Sequence, residues 1–226
     1  MKDFIKELLR ESLTLDLIEN IMVDEDYPSS FNMEEFKSLH KFSQRIKYCE
    51  QHLKKISSGS SRIVYLIDNT KVLKLAKNTK GIAQCETEIQ WGQDYYFASI
   101  LAQTLDSHPD GLWVEMELAR RVKASDFKKL YGFDFVSFGM YLRNKQAENK
   151  GQRSIFGVEE DELIKIEDSD FVHEIVDFMM NADSPAGDLA RLNSYGLVNR
   201  EGKDVIVLID FGLTGDIYSS YYDKRN

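Results

Sequence analysis

The stretch LIDFGLTGD, Leu208–Asp216, runs from apolar residues into an acid–aromatic–glycine tripeptide, and its reading decides the fold. VIVLID, ending at Asp210, is β-branched and apolar, as a buried strand requires. The turn signal NREGKD (199–204) precedes it, so a strand pair would deliver the Asp210 carboxylate to the mouth of a loop. Further upstream, GDLARLN spaces Asp188 and Asn193 five residues apart. Phosphoryl transfer needs such an ensemble: one carboxylate to orient an acceptor hydroxyl, and an amide oxygen plus a second carboxylate to hold magnesium.

Composition narrows the alternatives. The 226 residues can bury a substantial core, enough for two small lobes of one unit. A formal net charge of -9 opposes a general nucleic-acid-binding surface, which needs clustered Lys and Arg. Cys49 and Cys85 form no CxxC pair, so neither a disulfide framework nor a cysteine-rich zinc site is expected. His40, His52, His108 and His173 are scattered, without metal-ligand spacing. No apolar run approaches the ~20 residues that span a bilayer, and the charged N-terminus is no secretory signal, so a cytoplasmic location is expected.

Periodicity divides the chain. Phe4, Ile5, Leu8, Leu9 and Leu13 make a short amphipathic helix, read as docking on the protein's own body or on a protein partner. Asn32 and Glu35 form a capping box for one long helix carrying Phe36, Leu39, Phe42, Ile46, Cys49 and Leu53. The period then changes: RIVYLID and KVLKLAK form a hairpin, a helix follows from Thr79 or Lys80, and ASILAQTL and LWVEMEL are strands around the turn DSHPDG. Beyond Val122 the pattern is mainly helical, with a cap at Ser125, a helix over 135–142, and a helix capped by Ser169. The polar run 143–153 is expected to be a mobile loop.

With these motifs in order, the chain resembles the protein-kinase and aminoglycoside-phosphotransferase superfamily. GDLARLN is similar to the catalytic-loop pattern H-R-D-x-x-x-x-N, with Ala186 in the histidine's place, and IDFG matches the family's metal-binding tripeptide. SSGSSRIVYLIDNTKVLKLA resembles a phosphate-covering loop and the strand that carries a phosphate-binding lysine, with Ser57 and Arg62 where the outer glycines stand. The resemblance implies an α+β, bilobal protein-kinase-like fold: a helical N-terminal extension over 1–53, an antiparallel-sheet N-lobe over 54–121, and a truncated, mainly helical C-lobe over 122–226.

It also implies ATP and Mg2+ as cofactors. Lys74 would position phosphates and Glu88, or alternatively Glu86, would hold Lys74; Asp188 would orient the acceptor, and Asn193 with Asp210 would hold metal. Nucleotide contacts are expected from Gly59, Ser60 and Ser61, and from Met116, Glu117, Leu118 and Ala119 beside the adenine. No A-P-E motif follows Gly212, so a conventional peptide groove is not expected; a protein Ser/Thr hydroxyl is the acceptor expected. A pseudokinase or nucleotide-binding interaction module is the alternative. The opening LLRESL also resembles kinase-like proteins encoded by tailed bacteriophages, acting in the bacterial host or travelling with the virion. The tail tyrosines Tyr218, Tyr221 and Tyr222 are read as packing residues before phosphate acceptors.

Overall fold

Residues 27–154 and 156–223 are described by the structure, a computed structural model. The helix expected over residues 4–13 lies outside them. Two short helices come first, α1 (Met33–Ser38) and α2 (Phe42–His52), followed by strands β1 (Lys54–Ser58), β2 (Arg62–Leu66) and β3 (Lys71–Ala76). Helix α3 (Thr79–Gly92) leads to β4 (Thr104–Ser107) and β5 (Trp113–Glu117). These five strands make one antiparallel sheet in the order β1-β2-β3-β5-β4.

The second half is mainly helical. Helices α4 (Ala124–Tyr131), α5 (Phe135–Asn149), α6 (Glu160–Glu167) and α7 (Asp170–Asn181) precede the one-turn α8 (Ala186–Leu189), and α9 (Gly215–Tyr221) follows the last strand. A small sheet, β6 (Arg120–Arg121), β7 (Tyr195–Arg200) and β8 (Lys203–Leu208), lies among them. The expected α+β organisation, an antiparallel sheet followed by a mainly helical part, is thus what the chain adopts. Among the described residues no helix is long and apolar enough to cross a membrane.

Strand alternation assigns the two faces of the large sheet. Ile63, Tyr65, Leu73, Leu75 and Trp113 point into a cluster with Phe31, Phe36, Tyr48 and Cys49, so α1 and α2 cover the outer face. Val72, Ala76, Val114 and Met116 belong to the larger core shared with the helical half. Lys74 lies on the same side, because it alternates with Leu73 and Leu75.

Several local expectations change. The single long helix after Asn32 is two helices: Asn32 Oδ1 accepts the Glu35 amide at 3.0 Å, but Leu39 turns extended and α2 restarts at Phe42. Of ASILAQTL only Thr104 onward is strand. Ile100–Ala102 instead bridge to Leu208, with Ala102 N–H donating to Leu208 O at 2.8 Å and Leu208 N–H to Ile100 O at 2.7 Å. Helix α4 starts before Ser125, its Lys123 amide donating to Asp126 Oδ2 at 2.7 Å. Most of the expected loop 143–153 is helical, because α5 runs to Asn149; its polarity is that of a solvated helix with a Lys145–Glu148 pair at 3.4 Å. Helix α6 had no strong signal.

The β7–β8 hairpin is as expected. Arg200 pairs with Lys203 across a two-residue turn in which Glu201 and Gly202 have φ of 53° and 80°, the left-handed pair that a tight hairpin uses.

Candidate functional site

Between the large sheet and the helical half lies a cavity of about 650 Å3. Its size is in the range of small-molecule sites. Gly59, Ser60 and Ser61 form part of its roof and Lys74 its back. Met116, Glu117, Leu118 and Ala119 line one edge, while Asp188, Asn193 and Asp210 line the side of the helical half. Sequence positions as far apart as Gly59 and Asp210 therefore converge on one cleft.

Lys74 stands on β3 and Glu88 on α3, whose start is fixed by Asn78 Oδ1 accepting the Gly81 amide at 3.0 Å. Lys74 Nζ donates to Glu88 Oε1 at 2.9 Å and Oε2 at 3.0 Å, and also to the Ile209 carbonyl. Glu88 is fully buried and Glu86 is exposed, so the rotation of α3 chooses Glu88 as the lysine's partner. The Glu88 carboxylate also accepts the Phe211 amide at 3.3 Å, which ties α3 to the segment after β8. Gly212 is needed at this junction: a Cβ there would overlap the Gln84 carbonyl oxygen.

The same carboxylate meets a second cation. Arg62, only 7% exposed, brings Nη1 to 2.6 Å from Glu88 Oε2 and Nη2 to 2.6 Å from Asp210 Oδ1. Burial works to lower the guanidinium's pKa, and Glu88 and Asp210 more than reverse that, so Arg62 stays charged. The Asp210 side chain is 62% accessible, but from inside the cleft. Burial at the cleft wall works to raise its pKa; Arg62, Lys74 and Arg191 prevail and hold it below the ordinary carboxylate range.

Asp188 sits on the one-turn α8 and pairs with Arg191 at 3.1 Å. Burial raises its pKa, Arg191 opposes this, and the charge of Asp210 adds to it. The loop is gripped by groups that sequence reading missed. Gln146 on α5 accepts the Ala186 amide at 3.2 Å and donates to Ser184 O at 3.3 Å, while Ser194 Oγ donates to Asp188 O at 2.8 Å. Tyr195 OH donates to Leu189 O at 2.7 Å. Ala186 itself is buried, so bracing comes from Gln146 across the loop.

The roof is tethered to α3. Lys77 Nζ donates to Gly59 O at 2.8 Å, Lys80 Nζ to Ser60 Oγ at 3.1 Å, and the buried Ser61 Oγ to Gln84 Oε1 at 2.5 Å. The Ser61 hydroxyl proton is therefore committed to the protein. A Cβ at Gly59 would meet only Arg62 O at 3.9 Å, so the structure does not demand glycine there. At the other edge, Glu117 N–H donates to Gln103 O at 3.0 Å and Leu118 N–H to Thr70 O at 2.6 Å, and Arg200 holds the Glu117 carboxylate. Among the described residues the Ala119 amide has no such partner, which leaves it as this edge's backbone donor.

Helix α9 returns to the cleft. Tyr218 and Tyr222 line the cavity, Gln84 Nε2 donates to Tyr222 OH at 3.2 Å, and Lys80 Nζ lies 4.1 Å from the Tyr222 ring centroid. Packing is thus the observed use of Tyr222. Both cysteines are buried free thiols, and burial pushes Cys49 up to about 12 and Cys85 up to about 11, out of the reactive range.

No protein-family model matches the chain, and no curated protein sequence does. Among solved structures it is similar to SAICAR synthase from Saccharomyces cerevisiae complexed with SAICAR, at 12% identity over 73% of this chain and 74% of that one, with a TM-score of 0.38. It is also similar to the aminoglycoside phosphotransferase APH(2")-IIa in its ternary complex with streptomycin and ATP, at 12% identity over 77% and 71% of the two chains and a TM-score of 0.35. A third is the GDP complex of aminoglycoside 2'-phosphotransferase-IIIa, at 13% identity, 77% and 73% coverage and a TM-score of 0.33.

Proposed function

We propose that the chain is a minimal kinase-like nucleotide-binding protein that transfers phosphate from ATP to a hydroxyl acceptor. The observation that carries this reading is the convergence of Lys74–Glu88, Asp188, Asn193 and Asp210 on one cleft roofed by the Gly59–Ser61 loop. In this reading Lys74 and Arg191 draw in phosphates, Ala119 offers its amide to the base, and Asp188 receives or orients the acceptor's proton. The raised pKa of Asp188 suits it to proton transfer, and Arg191 keeps it from drifting.

Asn193 is exposed on the cleft wall and Asp210 keeps one carboxylate oxygen clear of Arg62. Where Arg62 gives way, these donors fit a magnesium ion that takes the rest of its shell from phosphate oxygens and water. Bound there, it would neutralise phosphate charge.

The acceptor, a protein Ser/Thr hydroxyl, and any association with a bacteriophage particle rest on the sequence resemblance alone. The domain divisions at residues 53 and 121 are likewise proposals. The alternative, a pseudokinase that binds nucleotide without turnover, is favoured by one observation, the hold of Arg62 on Asp210.

Calorimetric titration with ATP, followed by transfer of radiolabelled γ-phosphate to the chain itself and to a mixed protein substrate, tests the proposal. Binding with transfer that Asp188→Asn abolishes is the expected result. Binding without transfer in either form leaves the pseudokinase reading, and no binding removes both.

A further inference from the structure

Arg62 occupies a position that the phosphate-covering loop alone does not explain. Strand parity sends Ile63 and Tyr65 into the outer cluster, and so turns Arg62 and Val64 toward the cleft. Val64 lies opposite Lys74 in the β2–β3 register, which places Arg62 on the lysine's side of the sheet. The guanidinium then spans two carboxylates, one fully buried and one on the cavity wall. Its planar fork suits such a bridge, whereas an ammonium would act as a point charge.

The charge balance gives the bridge its meaning. Two carboxylates, Glu88 and Asp210, face two cations, Arg62 and Lys74, so the inner cleft is neutral before any ion enters. Without Arg62 the two carboxylates and Lys74 together would carry one net negative charge. A divalent cation is drawn to such an excess, and a buried carboxylate without a counter-charge is costly.

We propose that Arg62 is a built-in cation for Asp210: it takes the place in which a divalent ion would neutralise that carboxylate, so the inner cleft is charge-balanced without metal, and metal enters only where Arg62 gives way. Arg62 acts on a metal ion through Asp210 and Glu88, and meets phosphate oxygens itself from the cavity wall. A consequence, resting on the nucleotide-binding reading above, is that metal-free ATP binds this cleft. Its phosphates meet Lys74, Arg62 and Arg191 around a single neutralised Asp210.

The test compares wild type, Arg62→Gln, Arg62→Lys and the double variant Arg62→Gln/Asp210→Asn. Uptake of millimolar Mn2+ by the protein alone is followed by electron paramagnetic resonance, and ATP binding by calorimetry with chelator or with Mg2+. The expected result is that wild type takes up no Mn2+ at this site, Arg62→Gln gains one ion, and the double variant loses it again. Wild type should also bind ATP in chelator, with Arg62→Gln ~10- to 100-fold weaker there, as for a lost hydrogen bond to a charged group. Magnesium should restore Arg62→Gln. Arg62→Lys, which keeps the charge and guards against a folding defect in the glutamine variant, should stay metal-free.

Equal Mn2+ uptake by wild type and Arg62→Gln, or no gain in a folded Arg62→Gln, overturns the proposal. Should Arg62→Gln fail to fold, Mn2+ uptake by wild type that Asp210→Asn abolishes overturns it as well. If no form binds ATP while the Mn2+ results come out as expected, the nucleotide reading falls and the assignment of Arg62 stands.

Discussion

Glu88 is the residue on which the cleft turns, because one fully buried carboxylate serves Lys74, Arg62 and the Phe211 amide. Removing it leaves the buried Lys74 without its carboxylate and Arg62 with Asp210 alone, and breaking a buried pair in this way costs about 3–5 kcal/mol. Glu88→Ala is therefore expected to lose about that much stability in urea unfolding. Glu86→Ala, at an exposed position two residues earlier, should stay within ~0.5 kcal/mol of wild type. The sequence offered both glutamates and could not choose, since a rotation of the helix by half a turn exchanges them. Arg62 was visible only as a departure from glycine, although the alternation RIVYL carried the signal: with Ile63 and Tyr65 turned outward, Arg62 had to turn in.

Elements position the loop of Asp188 through contacts that no single motif contains. Helix α5 reaches α8 through Gln146, whose amide spans the turn before Asp188. Loss of both bonds in Gln146→Ala is expected to cost ~1–3 kcal/mol. Amide exchange at Ala186 and Asp188 should quicken more than exchange in the β7–β8 hairpin. Uniform acceleration across both regions would show Gln146 to be a general packing residue. This brace lies in the run that reads as a polar loop, because charge and lack of apolar periodicity resemble disorder until the inner half of the same helix is seen to be buried. The strands around Lys74 and Asp210 were legible for the opposite reason: β-branched, apolar runs bounded by turn residues have few alternatives.

At the scale of the whole molecule, the helical half is tied together by Glu162 of α6. It accepts from Lys128 of α4 at 2.6 Å and from the Asp134 amide at the start of α5, also at 2.6 Å. With the Lys128 bond as the largest cause, followed by the Asp134 amide and Lys165, its pKa falls to about 2. A carboxyl depressed on folding contributes stability that is full above its unfolded pKa of about 4.3 and is lost as pH falls through the folded value. The melting temperature of wild type should exceed that of Glu162→Gln by a constant margin above pH ~5, and the margin should narrow with acidification toward the folded pKa. A margin that does not vary with pH would mean that shape rather than charge is what glutamine fails to replace.

The order and spacing of Lys74, Asp188, Asn193 and Asp210 on their strands and loops were set by the sequence alone, because turn chemistry and two-residue alternation are local properties. Tertiary structure decided the rest. It chose Glu88 over Glu86, put Gln146 behind the loop of Asp188, folded Tyr222 back onto the Ser60–Ser61 roof, and joined Arg62 to Asp210 across 148 positions of chain. Each of these depends on which face of one element meets another, and on where charges stand once water is excluded between them.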